Sequence, residues 1–358
     1  MREVDLPISK SIANRILIIQ AMHDWPLLDV VSSDNVPDDV VLLHDALTSI
    51  RRVQSLPAVQ SEGVCRLDLK NCGTAMRFLT AYCAQQEGLN VVLDGSPRMR
   101  ERPILQLVEA LLALGADIRF EGEYGYPPLL IHGRKLTHPN EQRALNIVNP
   151  LSTQFISALL LIGVDVKTNI RSPYIEMTRT LIQRSQSSTL FRDGAGTGIG
   201  SCEVDWSSAA FWYEYIALHG GEILLCNLRA DSLQGDKVVA DIFRKLGVKT
   251  IFAANGVIVC KKHNVRRHLL IQNFRSCPDL YPAVAITCRQ LGVRLWAVGT
   301  QSLRWKESDR LRSVRECRTY HDHRMAMALM AADLPCDDSE CIKKSYPLFE
   351  QQLCQLNV

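Results

Sequence analysis

C-x-x-C does not occur among the 12 cysteines and no secretory leader precedes "MREVDLPISK", so the thiols read as free and mostly buried, and a cytoplasmic protein is expected. An excess of charge of either sign is lacking as well. With a net charge of only +3, any positive field has to be built locally, which argues against a protein that coats nucleic acid. Long apolar runs are missing: "FISALLLIGV" (155–164) is far too short to span a bilayer and reads as a core helix, so no membrane partner is expected. Neither nucleotide fingerprint is present. The loop "GAGTGIGS" (194–201) is glycine-rich but matches neither G-x-G-x-x-G nor a P-loop, and it reads as a flexible connection. That weighs against kinases and dinucleotide enzymes.

A 47% apolar content over 358 residues suits a globular chain of two domains. One pattern recurs in it. In "LVEALLALGADIRF" (107–120), "IALHGGEILL" (216–225), "IFRKLGVKTIF" (242–252) and "RQLGVRLWAV" (289–298), an amphipathic run ends in glycine and an alternating apolar stretch follows. The glycine is a helix stop and the change of period marks a strand, so these are αβ units repeated along an α/β chain.

A second regularity concerns helix starts. "SKSIANR", "NCGTAMR", "RERPILQL", "LSTQFIS", "DWSSAAF", "KESDRLR" and "HDHRMAM" open with the small polar residues that cap exposed amides, and Pro103 suits a first helical turn. Caps alone account for any one of these segments. They do not account for Lys10, Arg15, Arg77, Arg102, Lys306, Arg310 and Arg324 beside them, because a cation there opposes the helix dipole. A bound anion resolves the conflict, since amides and side chain then act on the same negative charge, and several such starts imply more than one phosphate or carboxylate. His321 and His323 invite a metal reading, but no third ligand stands at a familiar spacing, and no metal is expected.

Taken in chain order, "LPISKSIANR", "NCGTAMRFLTA", "GSPRMRERPI", "STQFISALL", "SPYIEMT", "DWSSAAF", "QGD", "CPDLYPA", "WKESDRL", "YHDHRMAMA" and "KKSYPLFEQQL" resemble the 5-enolpyruvylshikimate-3-phosphate synthase family of enolpyruvyl transferases. UDP-N-acetylglucosamine enolpyruvyl transferases fit less well, given the K-S-x-x-x-R and D-H-R-M patterns. The resemblance implies an α/β fold of two similar domains, each built from three βαβαββ units, with the active site in the cleft between them. Residues 9–203 would form one domain, and 1–8 with 204–358 the other. It implies transfer of the enolpyruvyl group of phosphoenolpyruvate to shikimate-3-phosphate by a monomer, with no cofactor, and sensitivity to glyphosate. Carried over by position, Lys10, Gly73, Arg102, Arg310, Arg324 and Lys344 would surround phosphoenolpyruvate. Ser11, Arg15, Ser152, Thr153, Gln154, Tyr174, Asp279 and Lys306, with Lys10, would hold shikimate-3-phosphate. Lys10, Asp279 and Glu307 are the implied catalytic groups, the two carboxylates standing out because acid–base work is what justifies them in an anion site.

The chain departs from the family pattern at Cys72, Phe78, Arg171 and Ser302, and in "RLRSVRECRTYHDHRM", where a strand-rich stretch is missing between Arg312 and Tyr320. Loss of part of a packed sheet is expected to expose strand edges and leave a cavity. A degenerate, non-catalytic relative that binds shikimate-3-phosphate or only retains the fold is the alternative function this shortening supports.

Overall fold

The computed structural model describes residues 1–31, 33–55, 63–137, 144–187, 202–262 and 268–356; the loop 194–201 lies outside them. The chain runs β1 (Arg2–Val4), α1 (Lys10–Met22), α2 (Asp38–Gln54), β2 (Cys65–Asp68), α3 (Gly73–Ala84), β3 (Asn90–Asp94), α4 (Leu105–Ala113), β4 (Asp117–Phe120), β5 (Leu129–His132), β6 (Leu145–Ile147), α5 (Thr153–Leu161), β7 (Val166–Thr168) and α6 (Pro173–Ser187). It continues with α7 (Trp206–His219), β8 (Glu222–Cys226), α8 (Val239–Arg244), β9 (Val248–Ala253), β10 (Gly256–Lys261), β11 (Leu269–Asn273), α9 (Tyr281–Gln290), β12 (Arg294–Val298), α10 (Arg310–Glu316), α11 (His323–Ala331) and α12 (Phe349–Leu356). All four glycine stops fall between a helix and the next strand; Gly247, at φ 85°, ends α8 in the left-handed conformation that side chains resist. Pro103 falls outside its expected place: it precedes α4, which starts at Leu105, so it ends a loop rather than opening a helix.

Two compact units emerge. One comprises Ser11–Val30 and Asp39–Gly198, the other Met1–Lys10, Val31–Asp38 and Ile199–Val358. This division assigns Ser9, Lys10, 31–38 and 199–203 to the unit holding 204–358, whereas the motifs draw the boundaries at 8/9 and 203/204.

In the unit beginning at Ser11, a four-stranded sheet has the order β2-β3-β5-β4, with β2 and β3 parallel and the following pair antiparallel. That is one βαβαββ unit. Helix α3 packs against α5, and α5 against α6; a parallel pair β6–β7 completes the described sheets.

The other unit repeats the topology in the order β1-β8-β10-β9, over a core in which α7, α9 and α11 pack together around Phe211, Trp212, Tyr346 and Phe349. Its second sheet is short. β11 and β12 pair in parallel, and among the described residues no strand occupies the other edge of β12. Strand alternation buries Leu270 and leaves Ile271 and Trp296, directly opposite each other, 61% and 60% exposed. The physical reason is chain length. Only residues 317–322 join α10 to α11, too few for a strand pair, and Cys317, Tyr320 and His321 turn the link through left-handed φ of 50°, 48° and 59°. The expected exposed edge is present, and beyond the short link α11 packs on α9 and α10.

Glu214 stands out in this core. It is fully buried on α7, and among the described residues neither oxygen makes a hydrogen bond of normal geometry. Thr287 faces it, with its hydroxyl proton already given to the Ala283 carbonyl at 2.7 Å. Burial therefore raises the carboxyl well above its usual range, and the Thr287 contact only partly offsets it. A group raised in the folded state stabilises fully below its unfolded value and loses that contribution as pH rises through the folded one. Glu214→Gln removes the ionisation while keeping the shape. Its melting temperature should exceed wild type most at pH 8, with the gap closing toward pH 5; a pH-independent difference would contradict this.

Candidate active site

In the unit that ends the chain, helix starts and tight turns gather charge. Asp279 lies in a turn (Pro278–Leu280) just before α9, Lys306 follows a second turn (Gln301–Trp305), and Arg310 is the first residue of α10. Asp309 caps α10 and Asp322 caps α11, where Arg324 occupies the first turn. Arg310 is 0% exposed and is the hub. Its Nη1 donates to Asp279 Oδ1 at 2.7 Å, Nη2 to Glu307 Oε2 at 3.0 Å, and Nε to Asp322 Oδ2 at 2.8 Å. Asp279 also receives Lys306 Nζ at 3.2 Å and Arg324 Nη2 at 3.2 Å, while Lys344 Nζ stands 3.7 Å from Glu307 Oε1. Six sequence-predicted residues, Asp279, Lys306, Glu307, Arg310, Arg324 and Lys344, thus form one network.

Burial alone would raise Asp279, but Arg324, Lys306 and Arg310 outweigh it and hold the carboxyl well below its usual range. Asp236, from the "QGD" motif, experiences the opposite balance. Burial and then the Asp279 charge push it up to about 7, against the bond from Ser207. The site therefore holds one carboxylate firmly ionised beside another poised near neutrality.

Three residues that sequence reasoning did not assign to the site, His323, Ser9 and Ser345, add unpartnered polar atoms beside one on Arg324. Both nitrogens of His323, Ser9 Oγ, Ser345 Oγ and Arg324 Nη1 are buried without a hydrogen-bond partner among the described residues. Burial, followed by the charge of Lys10, drives His323 well below its usual value, so it is neutral at pH 7. Buried polar atoms left unsatisfied are costly unless a ligand completes them. The metal reading of the histidines fails on geometry: the His321 side chain is 86% exposed on Asp338, His323 is buried, and among the described residues no three ligating groups cluster.

Lys10, the first residue of α1, also belongs to the unit that ends the chain, whereas in the unit beginning at Ser11 the starts of α3 and α5 and helices α1 and α6 carry the remaining predicted residues. Cys72 caps α3 through Sγ, which accepts from Ala75 N at 3.4 Å. Gly73 follows in close quarters: a β-carbon there would lie 2.3 Å from Arg102 Nη2 and 2.4 Å from Arg77 Nη1. The missing side chain is what lets two guanidinium groups approach this helix start. Arg102 is steadied by Asn71, whose carbonyl and Oδ1 each accept at 3.2 Å. Thr74 accepts from Gln154 Nε2 at 2.9 Å, and Ser152 caps α5, with Thr153 its first residue. Arg15 reaches the carbonyls of Ser11 and Tyr174 at 2.6 and 3.4 Å. Arg171 is exposed.

Two α/β units whose helix starts carry buried cations and carboxylates suit a class of protein that handles anionic small molecules. Comparison with known proteins makes that specific: the chain belongs to the EPSP synthase (3-phosphoshikimate 1-carboxyvinyltransferase) family, whose model matches residues 2–317. It is 33% identical over 399 positions to the 3-phosphoshikimate 1-carboxyvinyltransferase of Bacteroides fragilis, covering 96% of this chain and 92% of that one. Against that of Colwellia psychrerythraea it is 29% identical over 427 positions, covering 99% and 96%. Both alignments are longer than this chain, so the relatives carry stretches without a counterpart here, and the family match ends at Cys317, where the shortened link begins. An EPSP synthase structure from Acinetobacter baumannii shares the fold, with TM-score 0.65 at 18% identity over 99% of this chain and 95% of that one. Among the described residues no helix is long and apolar enough to cross a membrane.

Proposed function

We infer that this chain transfers the enolpyruvyl group of phosphoenolpyruvate to the 5-hydroxyl of shikimate-3-phosphate, releasing phosphate. One observation carries the reading: Arg310 bonds both Asp279 and Glu307 within a buried network of further cations. Two anionic reactants need the cations, and a reaction that moves protons in both directions needs the carboxylates.

In the addition step the 5-hydroxyl oxygen bonds the middle carbon of phosphoenolpyruvate as the methylene gains a proton. Loss of a proton from the resulting methyl group and departure of phosphate then form the enol ether. Asp279 engages the hydroxyl, and Lys10 and Glu307 serve proton transfer at the methylene and the leaving phosphate. Lys10, Gly73, Arg102, Arg310, Arg324 and Lys344 hold phosphoenolpyruvate; Lys10, Ser11, Arg15, Ser152, Thr153, Gln154, Tyr174, Asp279 and Lys306 hold shikimate-3-phosphate. The domain boundaries 9–203 and 1–8 with 204–358 belong to this proposal. So does a cytoplasmic monomer; all 12 cysteines are free thiols, as a reducing compartment would keep them.

The test is phosphate release from purified protein. It should require both substrates together, and a folded preparation that releases none overturns the reading. The short link between α10 and α11 favours one competitor, a binding-only relative. Uptake of shikimate-3-phosphate in a calorimeter with no phosphate release would establish that competitor instead.

A further inference from the structure

The guanidinium of Arg15 is buried, and its charge has an unusual setting. Nε donates to Thr178 Oγ1 at 2.7 Å, Nη1 to the Ser11 carbonyl at 2.6 Å, and Nη2 to Ser157 Oγ at 3.1 Å and the Tyr174 carbonyl at 3.4 Å. Every one of these acceptors is neutral, and no carboxylate pairs with Arg15 among the described residues. Of the five N–H donors of a guanidinium, one on Nη1 is left over. The group also lies over the ring of Phe78, its central carbon 5.3 Å from the centroid, with Arg15 and Phe78 only 2% and 1% exposed. Burial lowers the Arg15 pKa to about 10, against a smaller opposing effect of Tyr174, so the group is still charged at pH 7.

Two kinds of support are available to a buried cation. A carboxylate cancels the charge and with it the pull on an incoming anion. An aromatic face offers only the negative end of a quadrupole, which favours the cation, most strongly when water is excluded, without neutralising it. Thr178, bonded in turn to Ser157 at 2.9 Å, fixes the plane of the guanidinium from the other edge.

We propose that Phe78 is a positioning residue for shikimate-3-phosphate: its ring face steadies the Arg15 guanidinium while leaving the full charge and one N–H available to that substrate. The proposal rests on the reading above that Arg15 binds shikimate-3-phosphate. Residue 78 acts through Arg15 and touches no reacting atom.

Replacing Phe78 with mono-, di- and trifluorophenylalanine drains the ring quadrupole stepwise while nearly preserving shape, so it separates electrostatics from packing. The calorimetric Kd for shikimate-3-phosphate should rise at each step, reaching about tenfold with the trifluoro ring, while the Kd for phosphoenolpyruvate and the melting temperature hold steady. Phe78→Leu, with no π face, should weaken shikimate-3-phosphate at least as much. A flat fluorination series overturns the proposal, and so does a parallel loss for phosphoenolpyruvate, which would mark general disruption. Wild-type protein that takes up no shikimate-3-phosphate overturns the functional reading itself, a result seen before any variant is made.

Discussion

Asp322→Ala should lower the melting temperature by roughly 10 °C in scanning calorimetry, a large loss for one side chain. The carboxylate is 0% exposed and does three things at once. Oδ2 accepts from Arg310 Nε at 2.8 Å and from Ser308 Oγ at 3.2 Å, and Oδ1 accepts from Arg324 N at 3.0 Å, capping α11. Truncation leaves the most buried guanidinium of the network short of a partner, and losing one side of a buried ion pair costs about 3–5 kcal/mol. The cap adds about 1 kcal/mol. Asp322→Asn keeps an acceptor for the cap and removes the charge, so it should fall between wild type and Asp322→Ala. A drop under about 2 °C for the alanine variant would mean that Asp279 and Glu307 alone satisfy Arg310, contrary to the role given to Asp322 as its third partner.

The features of this cluster that could be read in advance are those with a local cause. A cation beside a helix start conflicts with the helix dipole over a few residues, so Arg310 and Arg324 are visible in the chain as candidates for an anion site. The same holds for the glycine stops, each of which sits between a helical period and an alternating one. What could not be read is set by contacts far apart in sequence. His323 looks like half of a metal pair with His321 until burial separates them, one facing Lys10 and the other solvent. Ser9 and Ser345 are unremarkable as letters and become informative only as buried hydroxyls without partners. Glu214 sits on a helix whose remaining positions are nearly all apolar or small, and nothing local says that this one acid faces Thr287 rather than water. The link after α10 could be read as too short for two strands, but not that Ile271 and Trp296 would be the opposed pair left exposed on the sheet.

Asp279→Asn should reduce kcat by roughly 10²–10⁴-fold and also move a second group. Within this network Asp279 is a poor base, because Arg324, Lys306 and Arg310 hold it ionised. On the roles proposed above, substrate would change that balance. The phosphate and carboxylate of the reactants would draw those cations toward themselves, each would lose part of its hold on Asp279, and the carboxylate would gain proton affinity as the 5-hydroxyl arrives. The amide can accept a hydrogen bond from that hydroxyl but cannot take its proton, so kcat should suffer far more than either KM. Asp236 reports on the same coupling without any substrate. Its value of about 7 owes its second-largest contribution, after burial, to the charge on Asp279. Neutralising Asp279 removes that repulsion, ionisation of Asp236 becomes easier, and its titration should shift downward. Infrared spectra at pH 6 test this directly: a protonated-carboxyl band present in wild type, assigned by its loss in Asp236→Asn, should weaken in Asp279→Asn. A drop in kcat with an unchanged band would mean that burial alone sets Asp236, and the two carboxylates would then have to be treated as independent groups.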